Sequence, residues 1–204
     1  MLPDAADFDH TGFTHAEVAS LLAGAPGAAA EAIRSVFEIT DAPDPSRLAT
    51  RGYLDEGGLA SDAAIVSAIL TRATRWSIAD VTIGDIVERG VIVESDDGKL
   101  LARQRPGQIW WFIVLDPESV VSQVLAQGVR RVSRRGDTLA ATVRIASLET
   151  SRTFVVQRSG DAWRFCASAT GAVEPEIHVA ESTSDEAIEH LAAFVAVWPE
   201  PLLA

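Results

Sequence analysis

Cysteine occurs once, at Cys166, so no disulfide can form within the chain and nothing in it requires an oxidising compartment. Lysine also occurs once, at Lys99, and the basic residues total 17 against 29 acidic ones. The resulting net charge of −12 repels phosphate backbones and anionic lipid surfaces, so neither nucleic acid nor membrane is an expected partner. Long hydrophobic runs are lacking too. The longest, Ile109–Leu115 and Leu191–Trp198, fall far short of the roughly 20 residues that cross a bilayer. The first residues, Met-Leu-Pro-Asp-Ala-Ala-Asp, are acidic where a signal peptide would be basic, and a cytoplasmic location is the expectation.

The usual chemical signatures are also missing. There is no His-Glu-x-x-His, Cys-x-x-Cys, Gly-x-Ser-x-Gly or P-loop pattern, and Gly57-Gly58 follows no strand that could make it a dinucleotide loop. Asp7, Asp9 and His10 could meet a divalent ion, but an acidic tail explains them as well. Glu186 and His190 lie four apart, the spacing of an ordinary helix-surface pair. Cys166 reads as a small packed hydrophobe. Carboxylates are too plentiful to single out an acid–base pair. The sequence therefore singles out no catalytic residue, no metal and no cofactor, and the reading leans away from an enzyme without excluding one.

What is present is an ordinary globular composition, with 48% apolar and 23% charged residues over 204 positions. Thr14 and Glu17 form a capping box for a first helix ending near Gly24. A second helix is expected over 28–39, a short one after Asp44-Pro45, and another capped by Ser61 that carries Ile65, Val66, Ile69 and Leu70. After Trp76 the period changes to that of extended chain, interrupted at Gly84 and Gly90. Asp96-Asp97-Gly98 is a hairpin turn, and strands follow over 100–105 and 108–115. Asp116-Pro117-Glu118 then starts a helix that Gly128 stops, leaving Arg130, Arg131, Arg134 and Arg135 in a solvated loop. Strands over 139–148, 153–157 and 163–168 precede a last helix, capped by Thr183 and Glu186.

The expectation is one α+β domain over 1–204. It has a mainly helical segment at 1–75, a first strand–helix unit at 76–128 and a second at 129–204. The sheet is antiparallel, with about six strands and two flanking helices. The two units share a pattern: Gln104-Arg105-Pro106-Gly107-Gln108-Ile109-Trp110-Trp111-Phe112 matches Gln157-Arg158-Ser159-Gly160-Asp161-Ala162-Trp163-Arg164-Phe165. An internal repeat with a pseudo-twofold would produce this. Alternation puts Trp110 with Phe112, and Trp163 with Phe165, on core faces. The other face carries Ile109, Trp111 and Ile113 in the first copy but Ala162, Arg164 and Cys166 in the second. Either the first copy is covered on both sides, or Ile109, Trp111 and Ile113 form a partner or homodimer interface.

Three stretches resemble the EspG family, cytosolic chaperones of mycobacterial type VII secretion. They are Leu48–Asp55 with Gly57-Gly58-Leu59 and the helix behind it, the late hairpin Gly160-Asp161-Ala162-Trp163, and the closing helix from about Ser184 to Val197. Tyr53 stands where that family has an aliphatic residue. The resemblance implies a non-catalytic chaperone or adaptor that covers the apolar tip of a secreted helical protein. The family assigns no role to Ile109, Trp111 and Ile113; they are candidates from the face argument. Two other functions compete. A small-ligand protein or enzyme would have a pocket between sheet and helices lined by Trp76, Trp110 or Trp163. A nucleic-acid regulator would need a basic helix, and 61–75 offers only Arg72 and Arg75.

Overall fold

The computed structural model describes residues 12–25, 27–105, 107–136, 138–160, 162–169 and 184–196. In chain order these form β1 (Gly12–Thr14), α1 (His15–Ala23), α2 (Ala28–Val36), α3 (Pro45–Thr50), β2 (Leu54–Asp55), β3 (Gly58–Leu59), α4 (Ser61–Thr71), β4 (Arg75–Ile83) and β5 (Ile86–Ser95). Then come β6 (Gly98–Arg105), β7 (Ile109–Leu115), α5 (Val121–Ser133), β8 (Thr138–Ala146), β9 (Ser151–Ser159), β10 (Ala162–Ala169) and α6 (Ser184–Ala196). The fold is α+β, with a large antiparallel sheet in the order β1-β7-β6-β5-β4-β8-β9-β10 and a separate β2-β3 pair. Eight strands replace the expected six or so. Gly84, at φ +55°, makes the β4–β5 turn, whereas Gly90 lies within β5 without breaking it, so the interrupted stretch is one long hairpin. The three residues of β1 are too few to show a period.

The chain divides into two compact units. Unit one takes Met1–Trp76 and Val91–Pro117; unit two takes Ser77–Gly90 and Glu118–Ala204.

In unit one the capping box forms as the sequence predicts. The Glu17 backbone N–H donates to Thr14 Oγ1 at 3.3 Å, and the Thr14 N–H donates to Glu17 Oε2 at 2.7 Å. Glu17 is nonetheless buried, and Arg51 compensates its charge, donating to Glu17 Oε1 at 3.0 Å and to the Gly12 carbonyl at 2.6 Å. The same guanidinium lies 4.9 Å from the Tyr53 ring centroid and 5.6 Å from that of Phe13. Behind it, α3 closes in a Schellman arrangement. Gly52 turns at φ +75°, its N–H donates to Ala49, and the Tyr53 N–H donates to Leu48. Arg51 and Tyr53 thus anchor β1 and α1. Ser61 is the first residue of α4 rather than its cap, which is Ala60. Ile65 on that helix is exposed, while Ala63, Val66, Ile69 and Leu70 are buried and α1 and α2 pack on the helix.

The core of unit one centres on Trp110, which is fully buried. Phe37, at the end of α2, meets it edge-on with centroids 4.6 Å apart and also touches Phe112. The indole N–H of Trp110 donates to His15 Nε2 at 3.3 Å, so a buried histidine satisfies a buried donor.

In unit two, α5 starts at Val121. Asp116-Pro117-Glu118 is a turn before it, not its first residues. The helix also runs straight through Gly128. Its buried positions Val121, Leu125, Val129 and Val132 recur at helical spacing on both sides of that glycine, and this packing outweighs a glycine penalty of about 1 kcal/mol. The arginines beyond it therefore belong to a last helical turn and its end. Arg130 pairs with Asp185 of α6, and Arg135 with Glu88 of β5. α6 packs on α5, β9 and β10, with Phe194 against Phe154. The expected cap at Thr183 lies outside the described residues.

Candidate functional site

Each unit has strands with one packed face and one less covered face; in unit one the second face is open only in part, since Leu101, opposite Ile113, is 7% exposed. In unit one the packed face of β7 presents Trp110 and Phe112, both buried. The alternate residues Ile109, Trp111 and Ile113 are half-buried. Cross-strand partners share their face: Arg105 lies opposite Ile109, Arg103 opposite Trp111, and Leu101 opposite Ile113. On the other side of β7, Gly12 lies opposite Trp111. A Cβ at Gly12 would approach Trp111 Nε1 to 2.8 Å, so the missing side chain lets the indole lie down over β1. The Arg105 guanidinium stands 4.8 Å from the Trp111 ring centroid. Trp111 is therefore neither sealed in a core nor standing free. It is a shelf of aromatic surface, held between a glycine and an arginine. Gly12 and Arg105 were not legible as parts of this surface, because no local pattern reveals which strand lies beside β7.

In unit two the open face is polar. One cross-strand row runs Ala140, Gln157, Arg164, and the next runs Thr138, Ser159, Ala162. Ala140, Gln157 and Arg164 of the first row and Ser159 and Ala162 of the second, with Thr82 and Gly84 of the β4–β5 hairpin, border an open depression of about 500 Å³. Arg164 is exposed, as its position suggested, and Cys166 is half-buried on the same face opposite Val155. Arg158, on the other face, is committed to structure. Its Nε donates to the Gly160 carbonyl at 2.7 Å, its Nη1 donates to the Ser133 carbonyl at 3.0 Å, and the guanidinium covers the Trp163 ring.

The pocket expected around tryptophans does not coincide with this depression. Trp76, Trp110 and Trp163 are all buried, and none of them lines it. His190 lies against the Phe165 ring, 4.7 Å between centroids. Arg72 pairs with Asp97, and Arg75 with Glu94, so the two arginines of the 61–75 segment serve ion pairs within unit one. Asp7, Asp9, His10 and His178 lie outside the described residues. Among the described residues no group of three His, Cys, Asp or Glu side chains is placed to hold a metal ion, and no helix is long and apolar enough to cross a membrane. Neither a protein-family model nor a curated protein matches the chain.

Proposed function

We propose that the chain is a non-catalytic protein-binding module, a cytoplasmic chaperone or adaptor of the EspG kind, and that it covers the apolar tip of a helical protein. One observation carries this reading: the half-buried row Ile109–Trp111–Ile113 on the open face of β7. At the strand rise of roughly 3.4 Å per residue the row is about 14 Å long. That length accommodates the end of one helix, about 10–12 Å across with its side chains. Tryptophan beside arginine is the composition of an interface anchor. Arg105, already stacked on Trp111, is also suited to meet the partial negative charge at a helix C-terminus.

The test is affinity capture from native cytosol, with bound proteins identified by mass spectrometry. Wild type is compared with Trp111→Asp, Ile113→Asp and, as a control on an exposed turn residue of unit two, Leu148→Asp. Circular dichroism and melting curves first establish that each variant folds. The expected result is a stoichiometric helical partner retained by wild type and Leu148→Asp and lost from the two β7 variants. Equal recovery by all four forms, or no partner with wild type, would overturn the reading.

A further inference from the structure

We propose that the depression in unit two is a binding site for a small anion, a carboxylate or phosphate group, held by the Arg164 guanidinium. This does not rest on the helical-partner reading, which concerns β7 of unit one.

The shape comes from small side chains. Ala140 and Ala162 sit in the two adjoining rows, and Gly84 borders the same space, so Gln157 and Arg164 rise above a low floor. A volume of about 500 Å³ falls in the range of small-molecule sites, roughly 300–1,000 Å³.

The charge comes from an uneven distribution. The whole chain is at −12, yet β8, β9 and β10 contain Arg144, Arg152, Arg158 and Arg164 and no Asp or Glu. The described residues bordering the depression accordingly include Arg158 and Arg164 and no carboxylate, and the Arg158 guanidinium is turned to the other face, over Trp163. Arg158 is taken up by backbone carbonyls and Trp163, and Arg152, on β9, stands over the Phe194 ring. No described residue pairs with Arg164. Its planar fork of donors suits a carboxylate or phosphate oxygen pair. Residues with neutral donors share the lining: Gln157, directly across the ladder from Arg164, and Ser159 and Thr82. On a body this acidic, a cationic hollow ringed by neutral donors selects small anions that can reach it. A polyanion would meet the repulsion of the rest of the surface.

The test is a titration of the isotope-labelled full chain with inorganic phosphate, and separately with acetate, at ionic strength held constant with chloride. Backbone amide shifts of Thr82, Gln157, Ser159 and Arg164 are followed. At least one anion should give saturable shifts confined to these residues. Arg164→Gln should weaken that binding at least tenfold, Arg164→Lys should weaken it less, and Arg144→Gln, on the same face but outside the depression, should leave it unchanged. Which anion saturates distinguishes a carboxylate site from a phosphate site. Shifts that stay linear for both anions in wild type, or that are the same in Arg164→Gln, would overturn the proposal.

Discussion

The hairpins β6–β7 and β9–β10 carry the same sequence pattern and use it differently. Both bury the pattern's first tryptophan, Trp110 or Trp163. The turns differ in length. Arg105 pairs with Ile109 across three loop residues, whereas Ser159 pairs with Ala162 across two. Gln104 therefore lies opposite Trp110 in the first hairpin, but Arg158 lies opposite Trp163 in the second. A register change of one residue moves a side chain to the other face of the sheet. Arg105 consequently stands on the open face over Trp111, and Arg158 on the packed face over Trp163. The glutamines exchange in the opposite sense, which brings Gln157 to the open depression beside Arg164. One loop residue thus separates an apolar shelf from a cationic hollow.

Four measurements would break or sharpen this contrast. Largest is the cost of the tryptophans. Trp110→Ala and Trp163→Ala should each lose about 3–5 kcal/mol in urea unfolding, as fully buried aromatics do. The half-buried Trp111→Ala should lose only about 1–2 kcal/mol. If Trp111→Ala cost as much as Trp110→Ala, the two faces of β7 would be equivalent and the shelf would be core. Next come the paired arginines. Arg158→Gln gives up charge-assisted bonds to carbonyls, worth about 1.5–3 kcal/mol. Arg105→Gln gives up a solvent-side cation–π contact worth about 0.5–1 kcal/mol. Equal losses would mean that the register difference has no energetic consequence.

Smaller effects test the turns themselves. Gly107 has φ +82° and Gly160 φ +61°, and an added Cβ at either meets nothing within 4 Å. Alanine at each should cost about 1–2 kcal/mol through backbone strain alone, read as a lower melting temperature. Asparagine should cost less. The smallest effect is a gain. Gln108, in the longer loop, also sits at positive φ, +59°. Gln108→Gly should raise stability by up to about 1 kcal/mol. A fall in melting temperature would show that the Gln108 side chain makes a contact outweighing its strain.

Much of the fold was legible locally. The Thr14–Glu17 box, the Asp-Asp-Gly turn before β6 and the alternation along β7 each depend on residues a few positions apart, and each formed. Misreadings arose where packing outvoted a local signal. Gly128 reads as a helix stop, yet Val129 and Val132 extend the buried stripe of α5 beyond it. Asp116-Pro117-Glu118 has the composition of a helix start, yet the helix begins where Val121 can first be buried. Ile65 continues an apolar stripe, but no described neighbour covers it. The Arg51-Gly52-Tyr53 stretch, noticed as a family-like motif, proves to be a clamp on β1 and on buried Glu17. Sequence spacing could not show this, because Gly12 and Arg51 are far apart in the chain.

By itself the sequence determined the class of fold, the identity of its central tryptophans and the division of β7 into two faces. Those follow from period and hydrophobicity, which are local. Only the tertiary structure decided on which face Arg105 and Arg158 each stand and where a hollow opens. Pairing register depends on the length of each turn and on what packs behind the strands, and a shift of one residue there reverses every face.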